Sequence, residues 1–167
     1  MVKKLNTGFT FVEVFISLFI LGLVSTLVVP RYIASKTYIA LKTSSKELSE
    51  LFFLSQQKAS SFGVTTNVSI NYSIDHPDQI ESLTFYMPHP YLSSLEESMF
   101  NVPKFISLTL TQPITNVEFY SDKTWSMIQN TAPLSDQNLS VSLSFKESQY
   151  HIRFYPNSSS IQLIEPL

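Results

Sequence analysis

Two periods of hydrophobic and polar residues divide the chain. From Phe9 to Val29 nearly every position is apolar, with 15 of the 21 residues being Phe, Val, Ile or Leu. As a helix rising about 1.5 Å per residue, this stretch would span about 31 Å, the hydrocarbon thickness of a bilayer. From Ile33 to Phe62 apolar residues recur at helical spacing, as Leu41, Leu48, Leu51, Phe52, Ala59 and Phe62. Lys42, Lys46, Glu47, Glu50 and Lys58 fall mostly on other faces. The spacing predicts an amphipathic continuation over 30–62 whose apolar stripe packs on a folded domain. Pro30 lies between the two halves and, because the pattern resumes beyond it, predicts a kink rather than an end. Gly63 supplies the stop.

After Gly63 the period falls to two. Val68, Ile70, Tyr72 and Ile74 alternate with polar residues, as do Leu83, Phe85 and Met87. Further runs are Ile106, Leu108, Leu110; Val117, Phe119; Leu139, Val141, Leu143, Phe145; Ile152, Phe154; and Ile161, Leu163. Short strands with polar partners, separated by Asn, Asp, Ser and Pro, predict antiparallel sheets with one packed face each. The segment from Met87 to Pro103, with its prolines and SLEES, reads as a long loop or short helical insertion. The expected fold class is therefore α+β. A long N-terminal helix packs on an antiparallel β-rich domain over 63–167, a small β-sandwich against the helix's C-terminal half.

Composition narrows the chemistry. A chain of 167 residues holds one ordinary domain plus an anchor, and a domain of that size buries a core without staples. The absence of cysteine excludes a disulfide framework, a thiolate zinc site and a cysteine nucleophile. A formal charge of -2 supplies no global attraction to nucleic acid. His76, His89 and His151 are scattered, there is no G-x-S-x-G, and three glycines leave no phosphate-cradling loop. No cofactor is implied. Asp75, Asp78 and Glu81 gather hard oxygen ligands that could hold calcium, with solvated loop acids as the better reading.

One residue is out of place in this pattern. Glu13 sits inside the membrane-grade run. Each apolar residue there favours insertion by roughly 0.3 to 0.6 kcal/mol, against about 2.5 to 3.5 kcal/mol for a mid-membrane charge, so insertion survives it. An intramembrane carboxylate is nevertheless a functional-site hypothesis in need of a partner. A cleaved secretory signal would have a shorter apolar region and a small-residue site, which VVPRYIA lacks. A plain uncleaved anchor is a further reading, in which Glu13 has no role.

The stretch K-K-L-N-T-G-F-T-F-V-E, its apolar run and the succeeding Pro30-Arg31-Tyr32 resemble the class III signal of type IV pilins and type II secretion pseudopilins. The shared elements are Lys3 and Lys4 in a short leader over 1–8, Gly8 before Phe9, Glu13 and Pro30. The resemblance implies that a prepilin peptidase cuts between Gly8 and Phe9 on the cytoplasmic side and methylates the new Phe9 amine. It implies that Glu13 then meets the amine of a neighbouring subunit, and that 9–29 serves first as a transmembrane helix and then as filament core. The body, from SQQKASSFGVTTNVSI through NVEFYSDKTW to LSVSLSFKESQYHIRFYPNSSSIQLI, is similar to H-type (GspH/FimT-like) minor pseudopilins. That family has glycines in the late turns where this chain has SDKT and NSSS, and Asp and Asn tolerate the positive φ such turns require.

These features imply a structural role rather than an enzymatic one. The resemblance implies an initiator or tip subunit of the periplasmic pseudopilus of a type II secretion system. Its partners would be other major and minor pseudopilins, the prepilin peptidase, an inner-membrane assembly platform and, before assembly, membrane lipid. Its location would be the bacterial inner membrane, single-pass, with the N-terminus cytoplasmic and the C-terminal domain periplasmic. A naive count of positive charges opposes that orientation, because Arg31, Lys36, Lys42 and Lys46 come after the run. The count is weak for a domain-sized flank and is overridden by the need for a cytoplasmic leader. A minor pilin of a type IV pilus or competence system is the alternative, as is an anchored protein with an unrelated binding role. DNA binding has little support, since loss of Lys3 and Lys4 takes the charge from -2 to -4.

Overall fold

A computed structural model describes residues 10–89, 94–129, 132–134, 139–155 and 160–165, the backbone alone for 132–134. The chain divides into two compact units, Met1–Ile39 and Ala40–Leu167. Helix α1 (Phe11–Phe62) contributes its residues up to Ile39 to the first unit and the remainder to the second. It ends as the sequence predicts. Gly63 takes φ +66°, and the Val64 N–H reaches back to the Ala59 carbonyl at 3.2 Å, closing the helix with a left-handed cap.

Among the described residues the second unit carries ten strands. They are β1 (Thr66–Tyr72), β2 (Ile80–Pro88), β3 (Leu95–Asn101), β4 (Ser107–Leu110), β5 (Asn116–Phe119), β6 (Trp125–Gln129), β7 (Ala132–Leu134), β8 (Leu139–Phe145), β9 (Ser148–Tyr155) and β10 (Ser160–Ile164). Two sheets result, ordered β3-β2-β1-β5-β6-β7 and β10-β9-β8-β4, with every pairing antiparallel. Each of the alternating runs of the sequence coincides with a strand over most of its length, and the α+β class holds. The inward rows match the alternation: Val68 lies between Phe85 and Val117, and Ile70 opposite Leu83.

Helix and sheets share one core. Leu41, Leu48, Phe52 and Ala59 of α1 are fully buried among residues of both sheets. Phe52 stands at the centre, with edge-to-face contacts to Phe85 of β2 (5.2 Å between ring centres), Phe119 of β5 (6.3 Å) and Phe154 of β9 (4.9 Å). The helix also buries small polar groups that its hydrophobic pattern does not reveal. Ser44, Ser45, Ser55 and Gln56 all face inward. The Ser55 carbonyl accepts from Thr66 Oγ1 at 3.1 Å, and Gln56 Nε2 donates to the Lys123 carbonyl at 3.1 Å, so side-chain bonds tie α1 to β1 and to the β5–β6 turn.

Four expectations need correction. Met87–Pro103 is not a helical insertion: β2 runs to Pro88 and β3 pairs with it from Ser82↔Asn101 to Pro88↔Leu95. On the face of β3 that carries buried Phe100, the other two positions are exposed Glu96 and half-buried Ser98, which hides the alternation. Glu96 is exposed there and meets Lys58 of α1 at 2.8 Å. Strands β6 and β7 were not anticipated; β6 follows the SDKT turn, and β7 is an edge strand containing Pro133, where a missing N–H costs no ladder bond. Ile74 is not a core residue; β1 ends at Tyr72 after a register shift, leaving Ile74 97% exposed. Phe62, expected on the packed stripe, is exposed in the last turn of α1. In SDKT the positive φ falls on Lys123 (69°) rather than on Asp122, whose carboxylate instead accepts from the Thr124 N–H at 2.9 Å. The NSSS turn lies largely outside the described residues.

Candidate functional site

The candidate site is the N-terminal part of α1. Its most apolar 18 residues have a mean hydropathy of 2.5, so the helix is long and apolar enough to cross a membrane. From Phe11 through Ile33 every apolar side chain points to the surroundings rather than into a core. The hydroxyls within this stretch are satisfied by the helix itself. Ser17 Oγ donates to the Glu13 carbonyl at 2.8 Å, Ser25 Oγ to that of Leu21 at 2.7 Å and Thr26 Oγ1 to that of Leu23 at 2.7 Å. Internal bonding of this kind lets a polar side chain sit in hydrocarbon, where no water replaces a missing partner. The helix continues through Pro30, whose absent N–H leaves the Thr26 carbonyl without its usual partner four residues on.

Glu13 lies in the first turn. The Thr10 carbonyl accepts from the N–H groups of Glu13 (3.1 Å) and Val14 (3.2 Å), which makes Thr10 the N-cap. Thr10 Oγ1 accepts from the Glu13 N–H at 3.3 Å, and Glu13 Oε2 accepts from the Thr10 N–H at 3.4 Å. This is a capping box, T-x-x-E. It was legible as Thr10-Phe11-Val12-Glu13, but reading Glu13 only as a charge in an apolar run obscures it. The carboxylate bonds are long compared with the usual 2.7–3.2 Å, so Glu13 retains most of its accepting capacity for another cation. Gly8 and Phe9, the expected processing junction, lie outside the described residues.

Other candidates do not converge. Asp75, Asp78 and Glu81 are exposed, and among the described residues no group of three His, Asp or Glu is placed to hold a metal ion. His76 is exposed in the β1–β2 loop and His89 lies just after β2. His151 and Ser142 face each other across β8 and β9, with Oγ and Nδ1 2.8 Å apart, a pairing that sequence spacing alone does not reveal. Around the domain, Lys58 holds the Glu96 carboxyl below its ordinary range, and burial raises the Tyr72 hydroxyl's pKa, although that hydroxyl donates to the Ile114 carbonyl at 2.8 Å.

No family model matches the chain, and no curated protein does. Solved structures do match. Two crystal forms of the type IV minor pilin FimU from Pseudomonas aeruginosa strain PAO1 superpose with TM-scores of 0.56 and 0.52. The first covers 78% of this chain and 91% of FimU, the second 75% and 92%, each at 10% identity. The fold is type IV pilin-like. In a pilin-like chain the exposed apolar helix with an acid in its first turn is the part that differs most from an ordinary globular domain. The β-rich unit is the part that packs like one.

Proposed function

We propose that the chain is a structural minor subunit of a pilus-like fibre, made as a single-pass inner-membrane precursor. Residues 1–8 are its leader, removed between Gly8 and Phe9, and the Phe9 amine is then methylated. The observation that carries the reading is an exposed, membrane-length apolar helix, acidic in its first turn, on a pilin-like fold. A carboxylate in an apolar filament core is costly alone and is tolerated when it meets an opposite charge. The freed Phe9 ammonium of a neighbouring subunit is that charge, and the loosely occupied Glu13 carboxylate accepts it. The pair then favours one axial register. Pro30 is the site of local bending as the helix leaves lipid.

Two machines accommodate such a subunit. The H-type resemblance of the body supports the pseudopilus of a type II secretion system, with major and minor pseudopilins, a prepilin peptidase and an assembly platform as partners. The likeness to FimU, a type IV minor pilin, supports a type IV pilus instead. The common step is tested by intact mass and N-terminal analysis of the full chain expressed in membranes with its peptidase. A product starting at methylated Phe9 is expected. An intact Met1, or a cut beyond Val29, would overturn the proposal.

A further inference from the structure

The outer face of α1 in the second unit is mostly polar. Thr43, Lys46, Glu47, Glu50, Gln57 and Ser61 lie on it at helical spacing, but Phe53 (58% exposed) and Leu54 (37%) lie among them. These two residues form one wall of an open groove with Leu51, Glu47, Ser49 and Glu50, and Ile161 of β10 forms the other. Its volume is about 520 Å³. Strand β10 is the end strand of its sheet, pairing with β9 on one side, so its other edge presents backbone N–H and C=O groups with no strand beside them among the described residues. Ile161 and Leu163 face the core side of that edge and remain only partly covered. Apolar pocket and open strand edge thus lie side by side.

The charge of this site selects its occupant. The groove's ionisable lining residues are Glu47 and Glu50, neither of which is in an ion pair among the described residues. Lys46 lies outside the lining, and Lys42 is engaged with Glu165 beyond the end of β10 at 3.8 Å. A second copy of the chain would bring its own Glu47 and Glu50 against these, which disfavours self-pairing. We infer that this groove binds an extended, basic segment of a partner polypeptide, which adds a strand to β10 and turns one row of its side chains into the groove, apolar ones entering between Ile161 and Leu54 and Lys or Arg of the same row meeting Glu47 and Glu50. Strand addition supplies affinity through main-chain hydrogen bonds, and pockets for alternate side chains supply selectivity. The site belongs to the folded domain and stands whether or not the chain enters a fibre.

The test uses the full chain in detergent micelles and a fluorescent peptide of three Val-Thr-Lys-Thr repeats, the Lys-Val peptide, whose Val and Lys share one strand face, with the Val-Thr-Glu-Thr repeat, the Glu-Val peptide, as its charge-reversed counterpart. The Lys-Val peptide should bind saturably, and the Glu-Val peptide should bind at least about tenfold more weakly. Glu47→Lys together with Glu50→Lys, both on the outer face, should weaken the Lys-Val peptide about tenfold or more while leaving circular dichroism unchanged. Leu54→Lys should do the same by removing an apolar wall and placing a like charge against the peptide's lysines. Hydrogen exchange should slow at the amides of 160–165 when the peptide binds. Absence of saturable binding, equal binding of both peptides, indifference to the paired charge reversal, or protection confined to another strand would each overturn the inference. So would dimerisation of the free chain through β10.

Discussion

Phe52 and Phe53 are the same residue at successive positions, and the helix assigns them opposite fates. Phe52 is 1% exposed and touches rings from both sheets, whereas Phe53 is 58% exposed. Truncating a buried Phe to Ala costs about 3–5 kcal/mol in lost transfer energy and cavity formation. Phe52 should lie near the top of that range, because each edge-to-face contact adds about 0.5–1.5 kcal/mol beyond area. Phe52→Leu keeps most of the volume and loses the ring contacts, so about 1–3 kcal/mol is expected for it. Phe53→Ala should fall within about 0.5 kcal/mol of zero. The assay is urea unfolding of the full chain in micelles. Trp125, the single tryptophan, reports it from 5.6 Å away from the Phe154 ring. With a slope of about 2 kcal/mol per molar urea, Phe52→Ala should lower the midpoint by about 2 M. Equal midpoints for Phe52→Ala and Phe53→Ala would refute the helix phase on which the shared core rests.

Three further outcomes are expected. Glu13→Gln preserves the capping-box geometry but removes the charge, so it should insert and be processed normally yet fail to co-purify with fibre partners; Glu13→Ala should fail likewise and also fray the first turn, and normal co-assembly of the Gln variant would refute the charge pairing. Gly63→Ala should destabilise the domain by about 1 kcal/mol in urea unfolding: a Cβ there meets nothing within 4 Å, so the cost is that of a left-handed φ alone, and an unchanged midpoint would refute it. The Lys58 hydrogen bond and charge lower the Glu96 pKa, so the pair's stabilisation is present above the ordinary carboxylate pKa and lost as pH falls through the lower folded value. Thermal midpoints measured at pH 7 and about pH 3 should therefore differ less in Glu96→Gln than in the native chain, with the Asp122–Thr124 contribution common to both.

The helix was legible because apolar residues fill 9–29 and then recur at helical spacing to Ala59, and a glycine ends it. The strands were legible wherever inward positions were apolar on every second residue, as in Leu139–Phe145. Strand β3 was not, because buried Phe100 shares its face with Glu96 and Ser98, and Lys58, which meets Glu96, is distant in sequence. Pairing order was also out of reach: β1 joins β5 rather than a sequence neighbour on its second side, and local periodicity carries no information on such contacts. At the candidate site the charge at Glu13 was visible but its bond to Thr10 was not used, although T-x-x-E states it. The groove beside β10 could not be read at all, since it joins residues of α1 to Ile161 near the other end of the chain.

Strand β4 has a consequence for how the protein is born. It lies between β3 and β5 in the chain, both in the six-stranded sheet, yet it pairs with β8 in the other. During vectorial synthesis Ser107–Leu110 emerges well before Leu139–Phe145, so β4 must wait, unpaired and with Leu108 uncovered, until most of the chain has appeared. The four-stranded sheet cannot be finished until β8, β9 and β10 have appeared, whereas every strand of the six-stranded sheet precedes β8 in the chain. A nascent chain stalled before β8 would carry an adhesive strand, and the interval between the two segments is when a chaperone has most to protect.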